Sequence, residues 1–118
     1  MREEGRIDYI EIPVTDLVKT REFFNALYGW EFQEWGPDYF SFNDGRTDGG
    51  LRRADEPAPA SGVLLVFYSN DLERDLGRVK ELGATISQEI FDFPGGKRFH
   101  FVDPAGTEFA MWASVEEQ

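Results

Sequence analysis

Two pairs of alternating residues carry the side chains that could transfer a proton. Tyr9 and Glu11 lie two positions apart in the stretch 8–14, and Arg98 and His100 show the same spacing later in the chain. Residues at that spacing in a β-strand point to the same side of a sheet. His100 is the only histidine, and imidazole is the side chain best suited to proton transfer near neutral pH. Glu11 and His100 are therefore the candidate acid–base residues.

Both candidates also have structural interpretations. A single histidine on a strand is usually a packing residue or faces solvent. Glu11 lies on a mostly apolar strand, so its carboxylate needs a partner such as Arg98, a cationic ligand, a bound proton or a solvated position. The sequence shows no other catalytic constellation. The paired glycines 49–50 and 95–96 are typical of turns, and there is no phosphate-binding loop, nucleophile elbow or calcium loop.

The composition limits the compartment and the class of protein. Of the 118 residues, 41% are apolar and 15% are aromatic, which indicates one globular domain. The absence of cysteine excludes disulfides, thiolate metal sites and cysteine nucleophiles. No apolar run is long enough to span a membrane, and the charged residues 1–6 do not resemble a signal peptide. These features predict a cytoplasmic protein with no membrane partner.

The net charge of −11 bears on the partner. Nucleic acid is excluded as a partner because phosphate groups are bound through lysine and arginine, which are in deficit here. The simpler interpretation of the excess carboxylates is solubility. The alternative interpretation is a cavity that attracts a cationic ligand.

An internal repeat indicates the architecture. Thr15-Asp16-Leu17 follows one alternating run and begins a helical pattern, and Asn70-Asp71-Leu72 does the same after a second run. This repeat predicts an α+β fold of two tandem βαβββ modules, residues 7–53 and 62–113, joined by a proline- and alanine-rich linker at 54–61. One helix covers only one face of a four-stranded sheet. The other face must bury something, which predicts a concave site between the modules or a partner subunit.

Periodicity places the elements within each module. The first helix is expected at 16–28, with Asp16 or Thr15 as N-cap and Gly29 as stop. The second helix is expected to begin at an Asn70–Glu73 capping box. Strands are expected at 8–14, 30–35, 39–42, 49–53, 63–68, 84–91, 98–102 and 107–113.

Three motifs carry a resemblance to a known family. They are Ile10-x-Ile12-x-Val14-x-Asp16, Phe23-Phe24-x-x-Leu27-x-Gly29-Trp30 and Asp103-Pro104-x-Gly106. Together with the repeat, the pattern resembles the vicinal oxygen chelate superfamily, which includes glyoxalase I, bleomycin-resistance proteins and extradiol dioxygenases. The resemblance covers residues 7–112. It implies paired curved mixed sheets around a concave cleft, and a homodimer.

The resemblance also marks where a metal would bind. The family's enzymes hold a divalent cation that polarises vicinal oxygens of the substrate. The matching positions here are Tyr9, Leu64, Ala110 and either Gly50 or Leu51. Leucine, alanine and glycine side chains donate nothing to a metal, and a tyrosine alone is a poor ligand near neutral pH. The resemblance therefore implies the family's scaffold without its metal, and we expect no cofactor.

The sequence favours a metal-independent, bleomycin-resistance-like protein that binds a small aromatic or cationic molecule in an aromatic-lined cleft. By strand alternation, the expected ligand-binding residues are Tyr9, Glu11, Ser41, Leu64, Tyr68, Arg98, His100, Ala110 and Trp112. Several of these, Leu64 and Trp112 among them, also suit plain packing. The alternative is a metal-independent lyase or isomerase acting on a small carbonyl compound, with Glu11 or His100 as acid or base. A third interpretation is a non-catalytic scaffold that pairs with a second copy.

Overall fold

The computed structural model describes residue 4, residues 7–57 and residues 62–114. The chain divides into two units, Met1–Pro57 and Ala58–Gln118. The predicted linker falls at this division, and its residues 58–61 lie outside the described part of the chain. Within the described ranges, no helix is long and apolar enough to cross a membrane.

The first unit has the predicted order of one strand, one helix and three strands. Its elements are β1 (Ile10–Val14), α1 (Leu17–Tyr28), β2 (Glu31–Glu34), β3 (Tyr39–Asn43) and β4 (Asp48–Arg53). The sheet order is β1-β4-β3-β2, with β1 and β4 parallel and the other neighbours antiparallel. Helix α1 begins after Asp16, whose carboxylate accepts the backbone N–H of Lys19 at 3.0 Å. It ends at Gly29, which adopts the left-handed conformation (φ 74°) that glycine tolerates best.

An aromatic stack fixes which face of this sheet the helix covers. The indole of Trp30 lies between Phe24 of α1 and Phe42 of β3, with ring centroids 4.4 and 4.7 Å away. Val14 and Leu51 are fully buried on the same face of the sheet. Burial of this apolar surface supplies most of the stabilisation of the unit. We call the opposite side of the sheet, which carries Glu11 and Ser41, the open face of the first unit.

The second unit repeats the order. Its elements are β5 (Val66–Tyr68), α2 (Leu72–Glu81), β6 (Thr85–Phe93), β7 (Gly96–Val102) and β8 (Glu108–Ser114). The sheet order is β5-β8-β7-β6, again with one parallel pair, β5 with β8. Phe99, Phe101 and Met111 are fully buried on the face covered by α2. The side carrying Arg98 and His100 is the open face of the second unit. The α+β fold of two tandem βαβββ modules is therefore confirmed.

The two hairpins that repeat in the sequence also repeat in the structure. The Asp103 carboxylate accepts the backbone N–H of Ala105 and Thr107 at 3.1 and 2.9 Å. In the first unit, the Asp44 carboxylate accepts the N–H groups of Arg46 and Thr47 in the same way. An aspartate side chain thus closes each turn by replacing backbone acceptors.

The expected N-cap of the second helix is wrong by one residue. The cap is Asp71, whose carboxylate accepts the N–H of Arg74 at 3.1 Å, and not Asn70. Ser69 stabilises this choice, because its hydroxyl accepts the Asp71 N–H and donates to the buried carboxylate of Asp75. Several strand boundaries also differ from the prediction. β1 starts two residues later, at Ile10, so that Tyr9 lies just before it, and β5 starts three residues later, at Val66. β6 continues to the tight turn before β7, and β7 starts two residues earlier, at Gly96.

Candidate functional site

A chain of hydrogen bonds crosses the open face of the first unit. The Tyr9 hydroxyl lies 2.6 Å from the Tyr39 hydroxyl, and the Tyr39 hydroxyl donates to Glu11 Oε1 at 3.1 Å. Arg52 Nε donates to the other carboxylate oxygen, Oε2, at 3.2 Å. Tyr9 directly precedes β1 and Glu11 lies within it, while Tyr39 comes from β3 and Arg52 from β4; these strands lie side by side in the order β1-β4-β3. We call Tyr9, Tyr39, Glu11 and Arg52 the tyrosine relay.

Gly50 makes room for the tyrosine relay. It lies in β4 opposite Glu11 on one side and Ser41 on the other. A Cβ atom at this position would lie 2.0 Å from the Tyr39 hydroxyl oxygen and 2.6 Å from that of Tyr9. Such distances are far inside van der Waals contact. The lack of a side chain at Gly50, which the sequence shows only as a missing metal ligand, lets the two phenols meet across β4.

The tyrosine relay keeps Tyr39 protonated. Burial, followed by the hydrogen bonds with Tyr9 and Glu11, raises the pKa of Tyr39 well above its ordinary value of 10.0. The cause is physical: a tyrosinate would lose solvation and would face the Glu11 carboxylate. Tyr39 therefore acts as a stable donor to Glu11.

Ser41 lies on the same open face, as predicted, and holds an exposed indole. Its Oγ accepts a hydrogen bond from Trp35 Nε1 at 2.9 Å. The Trp35 side chain is 66% exposed. The two tryptophans of this unit therefore differ: Trp30 is a core residue, whereas Trp35 offers an aromatic surface to solvent.

The open face of the second unit holds His100 between two charged side chains. His100 Nε2 lies 3.2 Å from Arg98 Nε and 3.0 Å from Arg98 Nη2, and His100 Nδ1 lies 3.1 Å from Glu108 Oε2. A guanidinium can only donate. His100 Nε2 must therefore accept, so the proton sits on Nδ1 and is donated to Glu108. Both ring nitrogens are engaged in this arrangement.

Aromatic rings surround the Arg98 guanidinium. Its Cζ lies 5.9 Å from the ring centroids of both Phe91 and Phe93, within range of cation–π attraction. Trp112 packs edge-on against Tyr68 at 5.0 Å and against Phe93 at 6.0 Å. The predicted residues Tyr68, Arg98 and Trp112 therefore contribute to one aromatic surface.

The remaining predicted residues supply no polar group. Ala110 is fully buried and is paired with His100 across β7 and with Val66 across β5. Leu64 is half-buried in the segment that precedes β5. Both fit the packing interpretation that the sequence also allowed.

These side chains do not fit the metal site of the family's enzymes. Divalent metals need several converging oxygen or nitrogen donors. The positions in question carry a methyl group at Ala110, an isobutyl group at Leu64, no side chain at Gly50, and at Tyr9 a phenol already bonded to Tyr39. Across the described ranges, no group of three or more His, Cys, Asp or Glu side chains could hold a metal ion.

Sequence reasoning missed Tyr39 and Arg52 as members of the site. A signal for each was present, because Tyr39 alternates with Ser41 and Arg52 lies two positions from Gly50.

A groove of about 530 Å³ lies elsewhere in the first unit, between the start of α1 and the β2–β3 turn. It is lined by Asp16, Val18, Glu34, Pro37, Arg53 and their neighbours, and by none of the predicted residues.

Comparison with known proteins identifies the family. A sequence model of the Glyoxalase/Bleomycin resistance protein/Dioxygenase superfamily matches residues 6–111. The chain belongs to this family, as the resemblance indicated. Among curated proteins, the anthracycline biosynthesis protein DauV of Streptomyces sp. (strain C5) is 25% identical over 118 residues. The match covers 91% of this chain but 41% of DauV, so the chain spans less than half of that relative.

Solved structures share the fold at low identity. TnmS3, an antibiotic binding protein from Streptomyces sp. CB03234, superimposes with a TM-score of 0.71 and 20% identity, covering 97% of this chain and 99% of TnmS3. A mutant of the fosfomycin resistance protein FosX from Listeria monocytogenes, complexed with Mn(II) and dihydroxypropylphosphonic acid, gives a TM-score of 0.80 and 17% identity. That match covers 98% of this chain and 95% of FosX.

Proposed function

We propose that this chain binds a small planar organic molecule, aromatic and cationic, on an open sheet face without a resident metal. The observation that carries the proposal is that the positions where the resemblance implies metal ligands hold a phenol, an isobutyl group, a methyl group and a glycine. Trp35, Tyr68, Phe91 and Trp112 offer ring surfaces, and stacking on such rings favours flat ligands. The sequence-predicted residues of each face, apart from the packing residues Leu64 and Ala110, are the proposed contacts of that face.

The hydrogen bonding of the acid–base candidates favours binding over catalysis. Glu11 uses both carboxylate oxygens, one for Tyr39 and one for Arg52. His100 uses both ring nitrogens. A general base needs a lone pair within hydrogen-bond reach of the substrate proton. A lyase or isomerase step that used His100 would first have to break one of these contacts.

Two relatives support a ligand of this class. TnmS3 is described as an antibiotic binding protein, and DauV as an anthracycline biosynthesis protein. Anthracyclines are planar polycyclic compounds, and many carry a protonated amino sugar. The net charge of −11 would attract such a cation to the chain.

Titration calorimetry with daunorubicin, in buffer containing EDTA, tests the proposal. We expect saturable binding, quenching of tryptophan fluorescence and weaker binding at higher salt. The sugar-free aglycone is the matched uncharged probe and should bind less tightly. If the chain bound neither daunorubicin nor its aglycone, the proposed function would be overturned. Binding that needs added Mn(II) would overturn its metal-independent part.

We further propose that the chain acts as a cytoplasmic homodimer. The family resemblance supports the dimer, and the absence of cysteine suits a reducing compartment. Light scattering on the purified chain should give twice the monomer mass of 13.5 kDa. A monomer mass across the concentration range would contradict this assembly.

A further inference from the structure

The tyrosine relay has a fixed polarity. A phenol has one proton, and Tyr39 gives its proton to Glu11. The contact of 2.6 Å between the two phenols must then be a donation from Tyr9 to Tyr39. With its own proton committed, the Tyr9 oxygen presents only lone pairs to its surroundings.

From this polarity we infer that the Tyr9 hydroxyl is a hydrogen-bond acceptor that recognises a donor group of the ligand. The inference rests on the proposed function and specifies the chemistry of one contact. The donor is an ammonium or a phenolic hydroxyl, which share the ability to donate to an oxygen lone pair. A ligand group that can only accept, such as a carboxylate or a quinone oxygen, gains nothing at this position.

Four features of the first unit suit Tyr9 for this role. The residue is 44% exposed, so a ligand can reach it. The Glu11 carboxylate at the inner end polarises the chain of hydroxyls, because linked hydrogen bonds strengthen one another. Arg52 holds that carboxylate in place from the far side. Gly50 leaves the space in which the phenols meet.

The inference is tested by measuring the affinity of daunorubicin and its aglycone for three variants. Tyr9→Phe removes the acceptor and keeps the ring. Tyr39→Phe keeps the Tyr9 hydroxyl but removes the group that orients its proton. Tyr28→Phe is the matched control, since it deletes a hydroxyl from helix α1, away from the open face.

We expect Tyr9→Phe to weaken daunorubicin binding roughly ten- to a hundredfold, the range for a hydrogen bond to a charged donor. Tyr39→Phe should weaken it by a smaller factor, and Tyr28→Phe should leave it unchanged. A loss confined to daunorubicin identifies the ammonium as the donor. An equal loss for the aglycone identifies a ring hydroxyl.

Two results would overturn the inference while leaving the proposed function intact. Wild-type affinity of Tyr9→Phe for both probes would remove the acceptor role. If Tyr9→Phe bound more weakly while Tyr39→Phe bound as tightly as the wild type, the polarity assigned to the tyrosine relay would be wrong. Failure of the wild-type chain to bind either probe is a different result, which overturns the proposed function and the acceptor role together. Thermal unfolding of each variant verifies that it is folded.

Discussion

Replacement of Gly50 by alanine is the sharpest test of the tyrosine relay. The backbone of Gly50 lies in a region open to any residue, so the added methyl group causes no conformational strain of its own. Its only effect is steric. At 2.0 Å from the Tyr39 hydroxyl oxygen and 2.6 Å from that of Tyr9, the methyl group cannot coexist with the relay.

The size of the effect follows from the contacts that must break. To reach an ordinary contact distance of ~3.5 Å from the new methyl carbon, the Tyr39 hydroxyl oxygen must move by roughly 1.5 Å. That movement breaks its hydrogen bonds to Tyr9 and Glu11, each of which contributes about 0.5–1.5 kcal/mol. Gly50→Ala should therefore lower the free energy of unfolding by about 1–3 kcal/mol. For a chain of this size, that loss corresponds to a fall in Tm of roughly 4–12 °C.

Thermal unfolding tests the predicted loss of stability, and an alkaline absorbance titration tests the ionisation of Tyr39. The chain has four tyrosines, and in the wild type Tyr39 should ionise well above pH 10.0, because its pKa is raised. In Gly50→Ala, its ionisation should return toward the ordinary value. Because the pKa of Tyr39 is higher in the folded state, its stabilisation of the wild type is complete below the unfolded value of 10.0 and is lost at higher pH. Above pH 10.0, the difference in free energy of unfolding between the wild type and Gly50→Ala should therefore become smaller.

Gly77→Ala is the matched control for this experiment. Gly77 lies inside α2, and a Cβ atom there meets nothing within 4 Å. The same substitution should raise stability there by about 0.5–1 kcal/mol, because glycine disfavours a helix interior. If Gly50→Ala were as stable as the wild type with an unchanged tyrosine titration, the role assigned to Gly50 would be refuted.

Two further substitutions, and a surface control at Trp35, test the cores of the units by urea unfolding. Asp75→Asn should cost about 1–3 kcal/mol at neutral pH, since the carboxylate is buried and accepts from Ser69 and Arg74. Burial alone would raise the pKa of Asp75, but the hydrogen bonds from Arg74 and Ser69 outweigh it and lower the pKa. The stabilisation by the Asp75 carboxylate is therefore present above pH 3.8 and is lost as the pH falls further. The free energies of unfolding of the wild type and of Asp75→Asn, plotted against pH, should converge in acid. A constant difference between them would contradict this account. Trp30→Ala should cost about 3–5 kcal/mol, whereas Trp35→Ala should stay within about 0.5 kcal/mol; equal losses would contradict the assignment of Trp30 to the core.

Local signals explain why most of the fold was predictable. Helix α1 was expected at 16–28 and is found at Leu17–Tyr28, because its apolar spacing, its Asp16 cap and its Gly29 stop all lie within the segment itself. The error at the second helix has a tertiary cause. Asn70 and Asp71 are both good N-caps. The choice of Asp71 depends on its contact with Ser69, which spacing alone does not reveal.

Strand alternation placed pairs within one strand but not partners across strands. It paired Tyr9 with Glu11, and Arg98 with His100; in the structure the first pair is linked through Tyr39 and the second by a direct contact. It could not supply Tyr39, because the contact between Tyr9 and Tyr39 depends on the register of β1, β4 and β3 over 30 residues of sequence. Gly50 was the hardest residue to recognise, since its contribution is the side chain it lacks.

The two open faces solve the same physical problem in different ways. A polar side chain on a strand face that packs against ligand or protein must keep a partner, or its burial is costly. In the family's enzymes, a metal can be that partner. Here the first unit joins its carboxylate to two phenols and an arginine, and the second joins His100 to Arg98 and Glu108. Because the protein itself satisfies these groups, ligand binding of the proposed kind would depend on shape and hydrogen-bond polarity rather than on a central ion.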